Sequence, residues 1–240
     1  VQNFELISFA RADELARAAA GAWLDEIAAA ERAARPHCVA LSGGRIALKF
    51  FTSVVSQAKA HEISPGLVHF FWADERCVPP DDAESNFKTA HELLFAPLRI
   101  SDAQIHRIHG EDLPELAAQK AATDISSVVP KNVVGQPVLD LIFLGMGEDG
   151  HVASLFLHQI EGTFPKAVFC PVRNSPKPPP NRVSLTYAAI AAAREVWVLA
   201  SGAGKEAALR ESISANGRTP LAQVIQSRAQ TKIFSDFSLG

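Results

Sequence analysis

The sequence predicts an α/β fold in which a mainly parallel sheet is covered by helices on both faces. Two observations carry that reading. Short apolar runs of strand length alternate with longer stretches of helical pattern. Four of those runs also break off abruptly into glycine and charged residues, as strands do when they enter turns.

Taken in order, Phe4–Phe9 is a short apolar run able to supply a strand. Asp13–Ala34 follows, rich in Ala, Leu and Arg, with Leu15, Ala19, Trp23 and Ile27 spaced onto one face of an amphipathic helix. His37–Leu41 is the first central strand and ends in Ser42-Gly43-Gly44, ahead of a helix over Ile46–Lys59. Leu67–Trp72 is the second, ending in Ala73-Asp74-Glu75-Arg76, and Pro114–Ser127 reads as helix. Val138–Leu144 is the third and runs into Gly145-Met146-Gly147-Glu148-Asp149-Gly150-His151. Val168–Val172 and Arg182–Thr186 are candidates for extra strands. Asn174–Asn181 between them must be a surface loop, because its prolines lack backbone donors. Glu195–Ala200 is the fourth central strand, ending in Ser201-Gly202-Ala203-Gly204-Lys205 where the helix Lys205–Ala215 begins.

Composition narrows the class. The 240 residues are 48% hydrophobic and 20% charged, ordinary for a folded chain long enough to bury a sizeable core. That length suits one domain or two, and neither an internal repeat nor a composition break marks a boundary. A net charge of -3 leaves no cationic excess for a phosphate backbone, so nucleic acid is not an expected partner. No stretch reaches the ~18 to 20 apolar residues of a membrane span. The start, Val1–Glu5, lacks the basic and apolar regions of a leader. Cys38, Cys77 and Cys170 are odd in number and far apart, which suits reduced thiols in the cytoplasm better than a disulfide framework. No trio of His, Cys and carboxylates has metal-ligand spacing, and no metal is expected. His61, His91, His106 and His109 read as ordinary polar residues.

The polar residues gather where chemistry is expected. Ligands of open parallel sheets bind beyond the carboxyl ends of the strands, and four loops converge there. Turns alone would explain glycine; they would not explain Asp74, Arg76, Asp149, His151 and Lys205 in those places. Ser42-Gly43-Gly44 before a helix offers backbone donors and a hydroxyl to an anion, although a helix cap with a tight turn explains it equally. Ser201–Lys205 resembles a P-loop only superficially, since Glu206 stands where a Ser or Thr would hold magnesium. Lys205 remains a point charge for one phosphate. Gly145-x-Gly147-x-x-Gly150 matches a dinucleotide fingerprint by letters, but Glu148 and Asp149 would set two negative charges beside a pyrophosphate. His151, two residues after Asp149, is placed to act as a general base near neutral pH, with a carboxylate to set its tautomer.

The stretch Leu139–Phe156, containing Gly145-Met146-Gly147-Glu148-Asp149-Gly150-His151, strongly resembles the signature of the 6-phosphogluconolactonase family. So do Trp72–Pro79 followed by Ser85-Asn86-Phe87, Lys177-Pro178-Pro179 with Arg182–Thr186, and Gly202–Lys205. The resemblance implies a doubly wound α/β fold, a single domain over residues 1–240, and no cofactor. It implies hydrolysis of 6-phospho-D-glucono-1,5-lactone to 6-phosphogluconate in the oxidative pentose phosphate pathway. Carried over by position, His151 would activate water with Asp149 beside it. Ser42, Gly43, Gly44, Arg76, Arg182 and Lys205 would surround the phosphate and the sugar, over a floor at Asp74. The partner implied is a small sugar phosphate, and the sequence admits a monomer without fixing the oligomeric state.

Two positions depart from the family pattern. Arg45-Ile46-Ala47 stands where a hydroxyl residue and proline usually follow the glycines, so Arg45 would have to replace a hydroxyl ligand with charge. Leu157 replaces a common proline after Leu155-Phe156. Two rival readings are a glucosamine-6-phosphate deaminase-like isomerase and a sugar-phosphate sensor without catalysis. Ser154-Leu155-Phe156, where deaminases typically carry Phe-Asn-Glu, argues against the first; Asp149 and His151 argue against the second.

Overall fold

The computed structural model describes residues 3–157 and 166–237; Val1 and Gln2, part of the segment read as lacking a leader, lie outside them. Nine strands form two sheets among the described residues. The larger holds β1 (Phe4–Ser8), β2 (His37–Leu41), β3 (Val68–Trp72), β5 (Leu141–Gly145), β8 (Glu195–Ala200) and β9 (Thr231–Ser235). Every pairing in it is parallel, in the order β1-β9-β8-β5-β2-β3. All five residues of β2 are buried, as are the first four of β5. Strands buried on alternate and intervening residues alike are covered on both faces, the mark of a doubly wound α/β fold. The parallel sheet and its helical cover are as the sequence predicts.

Helix α1 (Ala12–Arg32) supplies much of the cover through the stripe read from its sequence: Leu15, Ala19, Trp23 and Ile27 are all buried. Trp23 packs on Phe50 of α2 (Arg45–Ala60) with ring centroids 5.8 Å apart and meets Phe143 of β5 edge-on at 5.2 Å. Phe143 in turn meets Trp197 of β8, and Trp197 meets Phe234 of β9, so an aromatic row crosses the sheet. Such pairs add directional packing to plain area burial.

The strand order reverses between β2 and β5. From β2 the chain proceeds outward to β3, and from β5 it proceeds the other way to β8 and β9. Asp140, just ahead of β5, fixes this junction by accepting from Cys38 N at 2.9 Å and from the Arg35 guanidinium at 2.5 Å. A crevice opens at the carboxyl ends of strands at such a reversal.

The second sheet is a finding of the structure. Asp74–Arg76, read from the sequence as loop, is β4; it pairs antiparallel with β7 (Arg182–Leu185), which pairs with β6 (Phe169–Val172). The two candidate extra strands therefore leave the main sheet. Their register sets Asp74 opposite Ser184 and Arg76 opposite Arg182, which gathers three of the expected site residues in one place. Between β4 and β5 lie α3 (Asn86–Ala90), a π turn (His91–Phe95), α4 (Ala96–Leu98) and α5 (Pro114–Val128). The remaining helices are α6 (Tyr187–Ala192), α7 (Glu206–Ile213) and α8 (Pro220–Gln226). Among the described residues no helix is long and apolar enough to cross a membrane.

Candidate active site

A cavity of about 310 Å³ opens at the reversal point. It is bordered by Ser42, Gly43, Gly44 and Arg45 after β2, by Asp74 and Arg76 of β4, by His151 after β5, by Arg182 of β7, and by Lys205 ahead of α7. Residues up to 163 positions apart in sequence thus share one wall-to-wall space. Asp149 stands outside it, behind His151.

The loop after β5 is shaped around that pair. Gly147 N donates to His151 O at 2.9 Å and Gly150 N to Gly147 O at 3.1 Å, with Gly150 at φ 76. A Cβ on Gly147 would collide with the His151 ring and the Asp149 carboxylate, so only glycine leaves room for both. His151 Nδ1 lies 2.5 Å from Asp149 Oδ1, and Phe156 packs against the imidazole at 4.6 Å. Burial pushes the His151 pKa below its ordinary 6.5, and the Asp149 hydrogen bond only partly restores it. Burial acts upward on Asp149, but the hydrogen bond to His151 and the charges of His151 and Lys177 hold it below the usual carboxylate range. The resting pair is therefore an ionised carboxylate accepting from Nδ1–H of a neutral imidazole, with Nε2 left to take a proton.

The first loop and Lys205 border the same cavity. Gly44 caps α2 at φ 96, a left-handed conformation that favours glycine, and α2 points its amino end at the cavity. The Ser42 hydroxyl, expected from the sequence to face a phosphate, donates instead to Phe143 O at 2.8 Å and ties β2 to β5. Lys205 borders the cavity as well; burial, and then the neighbouring charge of Arg45, lower its pKa. The loop that carries it is held by Asp236, which accepts from Ser201 Oγ at 2.6 Å and Gly202 N at 3.0 Å.

The floor is a buried polar network. Asp74 Oδ2 accepts from Ser154 Oγ at 2.7 Å. Asn86 Nδ2 donates to Asp74 O at 2.9 Å, and a Cβ on Gly43 would overlap that amide, which explains the second glycine of the first loop. The Glu75 carboxylate, 2% exposed, accepts from the backbone of Arg76, Asn86 and Phe87, each at 2.8 Å, and from Ser85 Oγ at 3.2 Å. Arg76 donates to Glu84 O at 2.6 Å. Arg182 is buried and spends most of its guanidinium on the proline-rich loop. Nε donates to Pro179 O at 3.1 Å, while Nη2 donates to Lys177 O at 3.0 Å and Pro178 O at 2.9 Å.

Every residue expected from the sequence therefore lies in or directly behind one cavity. Lys177, Asn86 and Glu148, which the sequence reading placed in the family signature without a site role, also border it, and the Phe156 ring packs against His151. Lys177 hid in a run that reads as a solvent loop; Asn86 hid far from any glycine turn. Glu148 was legible only as a charge hostile to pyrophosphate. The lining carries Arg45, Arg76, Lys177, Arg182 and Lys205 against Asp74 and Glu148, an excess of three positive charges in a chain of net charge -3. Such a concave cationic field draws in small anions. Among the described residues no group of three or more His, Cys, Asp or Glu is placed to hold a metal ion. His106, read as ordinary, is engaged elsewhere: its Nε2 faces His69 Nδ1 at 3.0 Å and its Nδ1 faces Asp124 at 3.1 Å.

The chain is 39% identical over 168 residues to the 6-phosphogluconolactonase of Treponema pallidum, covering 70% of this chain and 68% of that one. It is 37% identical over 213 residues to the 6-phosphogluconolactonase of Mycobacterium tuberculosis, covering 85% and 84%. The solved 6-phosphogluconolactonase of Trypanosoma brucei superposes with a TM-score of 0.85 at 25% identity, over 98% of this chain and 97% of that one. The family model of glucosamine-6-phosphate isomerases/6-phosphogluconolactonase matches residues 10–234, and the chain belongs to that family.

Proposed function

We propose that this protein hydrolyses 6-phospho-D-glucono-1,5-lactone to 6-phosphogluconate, the step of the oxidative pentose phosphate pathway for which its relatives are named. One observation carries the reading: His151, backed by Asp149, borders the same cavity as the cationic cradle of Arg45 and Lys205. A lactone with a distal phosphate matches that layout, because the cradle takes the phosphate and leaves the carbonyl carbon for a water beside the imidazole.

The chemistry follows from the protonation states. Water forms a bond to the carbonyl carbon as its proton passes to Nε2 of His151, and the carbonyl π pair moves onto oxygen. Asp149 stabilises the imidazolium that results. Collapse of the tetrahedral intermediate restores the C=O bond and breaks the bond to the ring oxygen, which takes the proton from His151. The acid product then ionises. No oxidant or reductant enters the balance.

Deamination is the less suited reading. It needs an acid to open the sugar ring, and the stretch after His151 supplies Ser154, which donates to Asp74, and Phe156, which packs on the imidazole. We assign the activity to one α/β unit spanning the chain, with a sugar phosphate as its small-molecule partner. The free thiols of Cys38, Cys77 and Cys170 suit a cytoplasmic setting. The test is direct: purified protein is given freshly made 6-phosphogluconolactone, and its consumption is compared with the spontaneous rate. Marked acceleration supports the lactonase. Ammonia release from glucosamine 6-phosphate without lactone hydrolysis would select the isomerase, and binding of 6-phosphogluconate with neither activity would select a sensor.

A further inference from the structure

Resting on the lactonase reading, we propose that Lys177 is a catalytic residue that stabilises the tetrahedral oxyanion, and that Arg182 is the positioning residue that holds it there. The argument begins with how the cavity's cations are spent. Arg76 is drawn to Glu84 through Nη1, by a hydrogen bond to its carbonyl at 2.6 Å and a carboxylate contact at 3.6 Å, while its buried Nε has no partner among the described residues. Arg182 donates to three loop carbonyls through Nε and Nη2, and its Nη1 donates to Ser154 Oγ at 3.4 Å. Arg45 and Lys205 border the cavity near the amino end of α2, where a phosphate is best met, and Lys205 feels the charges of both Arg45 and Lys177.

Lys177 alone among these five sits against the catalytic pair, with Nζ 3.8 Å from Asp149 Oδ1, the same oxygen that holds His151 Nδ1. At that distance the contact is an ion pair and not a hydrogen bond, so the three ammonium donors stay available to a ligand. The side chain is 45% exposed and borders the cavity, hence free to follow charge as it develops on the carbonyl oxygen.

Arg182 gives this mobile side chain a fixed root. Its guanidinium binds the carbonyl of Lys177 itself and those of the next two residues, and it lies 5.7 Å from the Phe156 ring that packs on His151. One buried cation thus touches both the segment bearing the ammonium and the ring behind the base. The charged groups acting on His151 are Asp149 in its own loop, Lys177 from the proline-rich loop and Asp74 from β4; Lys177 favours the neutral imidazole and the two carboxylates oppose it.

The test compares wild type with Lys177→Met, Lys177→Arg and Arg182→Gln, measuring kcat, KM and the Kd of 6-phosphogluconate across pH. Lys177→Met is expected to lower kcat by about 10²-fold, the loss typical of one oxyanion donor, while KM and product Kd hold within about threefold. Its acid limb should move to higher pH, because a positive charge beside His151 is gone. Lys177→Arg should recover part of kcat. Arg182→Gln should lower kcat with the same limb shift, and the double variant should be little worse than the worse single one, since both act through one ammonium. Unchanged kcat in Lys177→Met, or a loss confined to KM and product Kd, overturns the role and makes Lys177 a phosphate ligand. A wild type without lactonase activity instead removes the underlying reading.

Discussion

Asp149 serves the cavity without bordering it: its Oδ1 lies 2.5 Å from His151 Nδ1, and only the imidazole faces the enclosed space. In the proposed mechanism the carboxylate fixes the tautomer and holds the ring, which leaves Nε2 as the nitrogen for water.

That arrangement predicts the pH dependence. His151 must be neutral to accept a proton, and its pKa lies below the ordinary 6.5. kcat/KM should be level at neutral pH and fall only on the acid side, with a midpoint below 6.5. Asp149→Asn removes the charge that partly holds the imidazole pKa up, so its limb should move further toward acid while kcat falls by about 10² to 10⁴-fold through loss of the tautomer. Steady-state rates from pH 4.5 to 9 read both effects.

The cradle predicts a split between phosphorylated and plain substrate. Arg45→Ala and Lys205→Ala should each raise KM for 6-phosphogluconolactone by roughly 10-fold, about 1.4 kcal/mol of lost binding, with kcat little changed. Neither should alter the slow turnover of unphosphorylated glucono-1,5-lactone. Equal losses on both substrates would place these cations at the reacting centre.

Gly147 predicts a steric knockout. A methyl group there would occupy the space of the His151 ring and the Asp149 carboxylate, so Gly147→Ala should separate the pair. Turnover should drop nearly as far as in a His151 variant while circular dichroism stays unchanged, since the strain falls on a turn and not on a helix or strand.

Glu75 predicts a stability cost. Its carboxylate is buried and answers four donors, three of them in the Ser85–Phe87 turn, and through Asn86 the turn reaches Asp74. Glu75→Ala would leave those donors unpaired and should cost about 3 kcal/mol or more in urea unfolding.

Much of this was legible in the sequence because the parallel sheet writes itself in runs such as His37–Leu41, whose five residues are buried on both faces. The His151–Asp149 pair was legible for a local reason: the two residues lie in one turn, where spacing nearly fixes distance. The second sheet was not. Asp74-Glu75-Arg76 has the composition of a loop, and it becomes a strand only because Ser184 and Arg182 arrive across from it. β9 escaped because Thr231, Lys232 and Ser235 leave it no apolar run, and α8 because seven residues give periodicity too little to work on. Lys177 shows the same limit at the level of function. Its place beside Asp149 is set by Arg182 through backbone carbonyls, a tertiary contact that no run of prolines announces.

The measurement that bears most directly on the central claim is the paired effect of His151→Ala on turnover and on product affinity. An imidazole that activates water should lower kcat by about 10² to 10⁴-fold when removed, while calorimetry finds the 6-phosphogluconate Kd within about threefold of wild type. A variant that turns over at the wild-type rate, or that loses affinity in proportion to rate, would contradict the assignment.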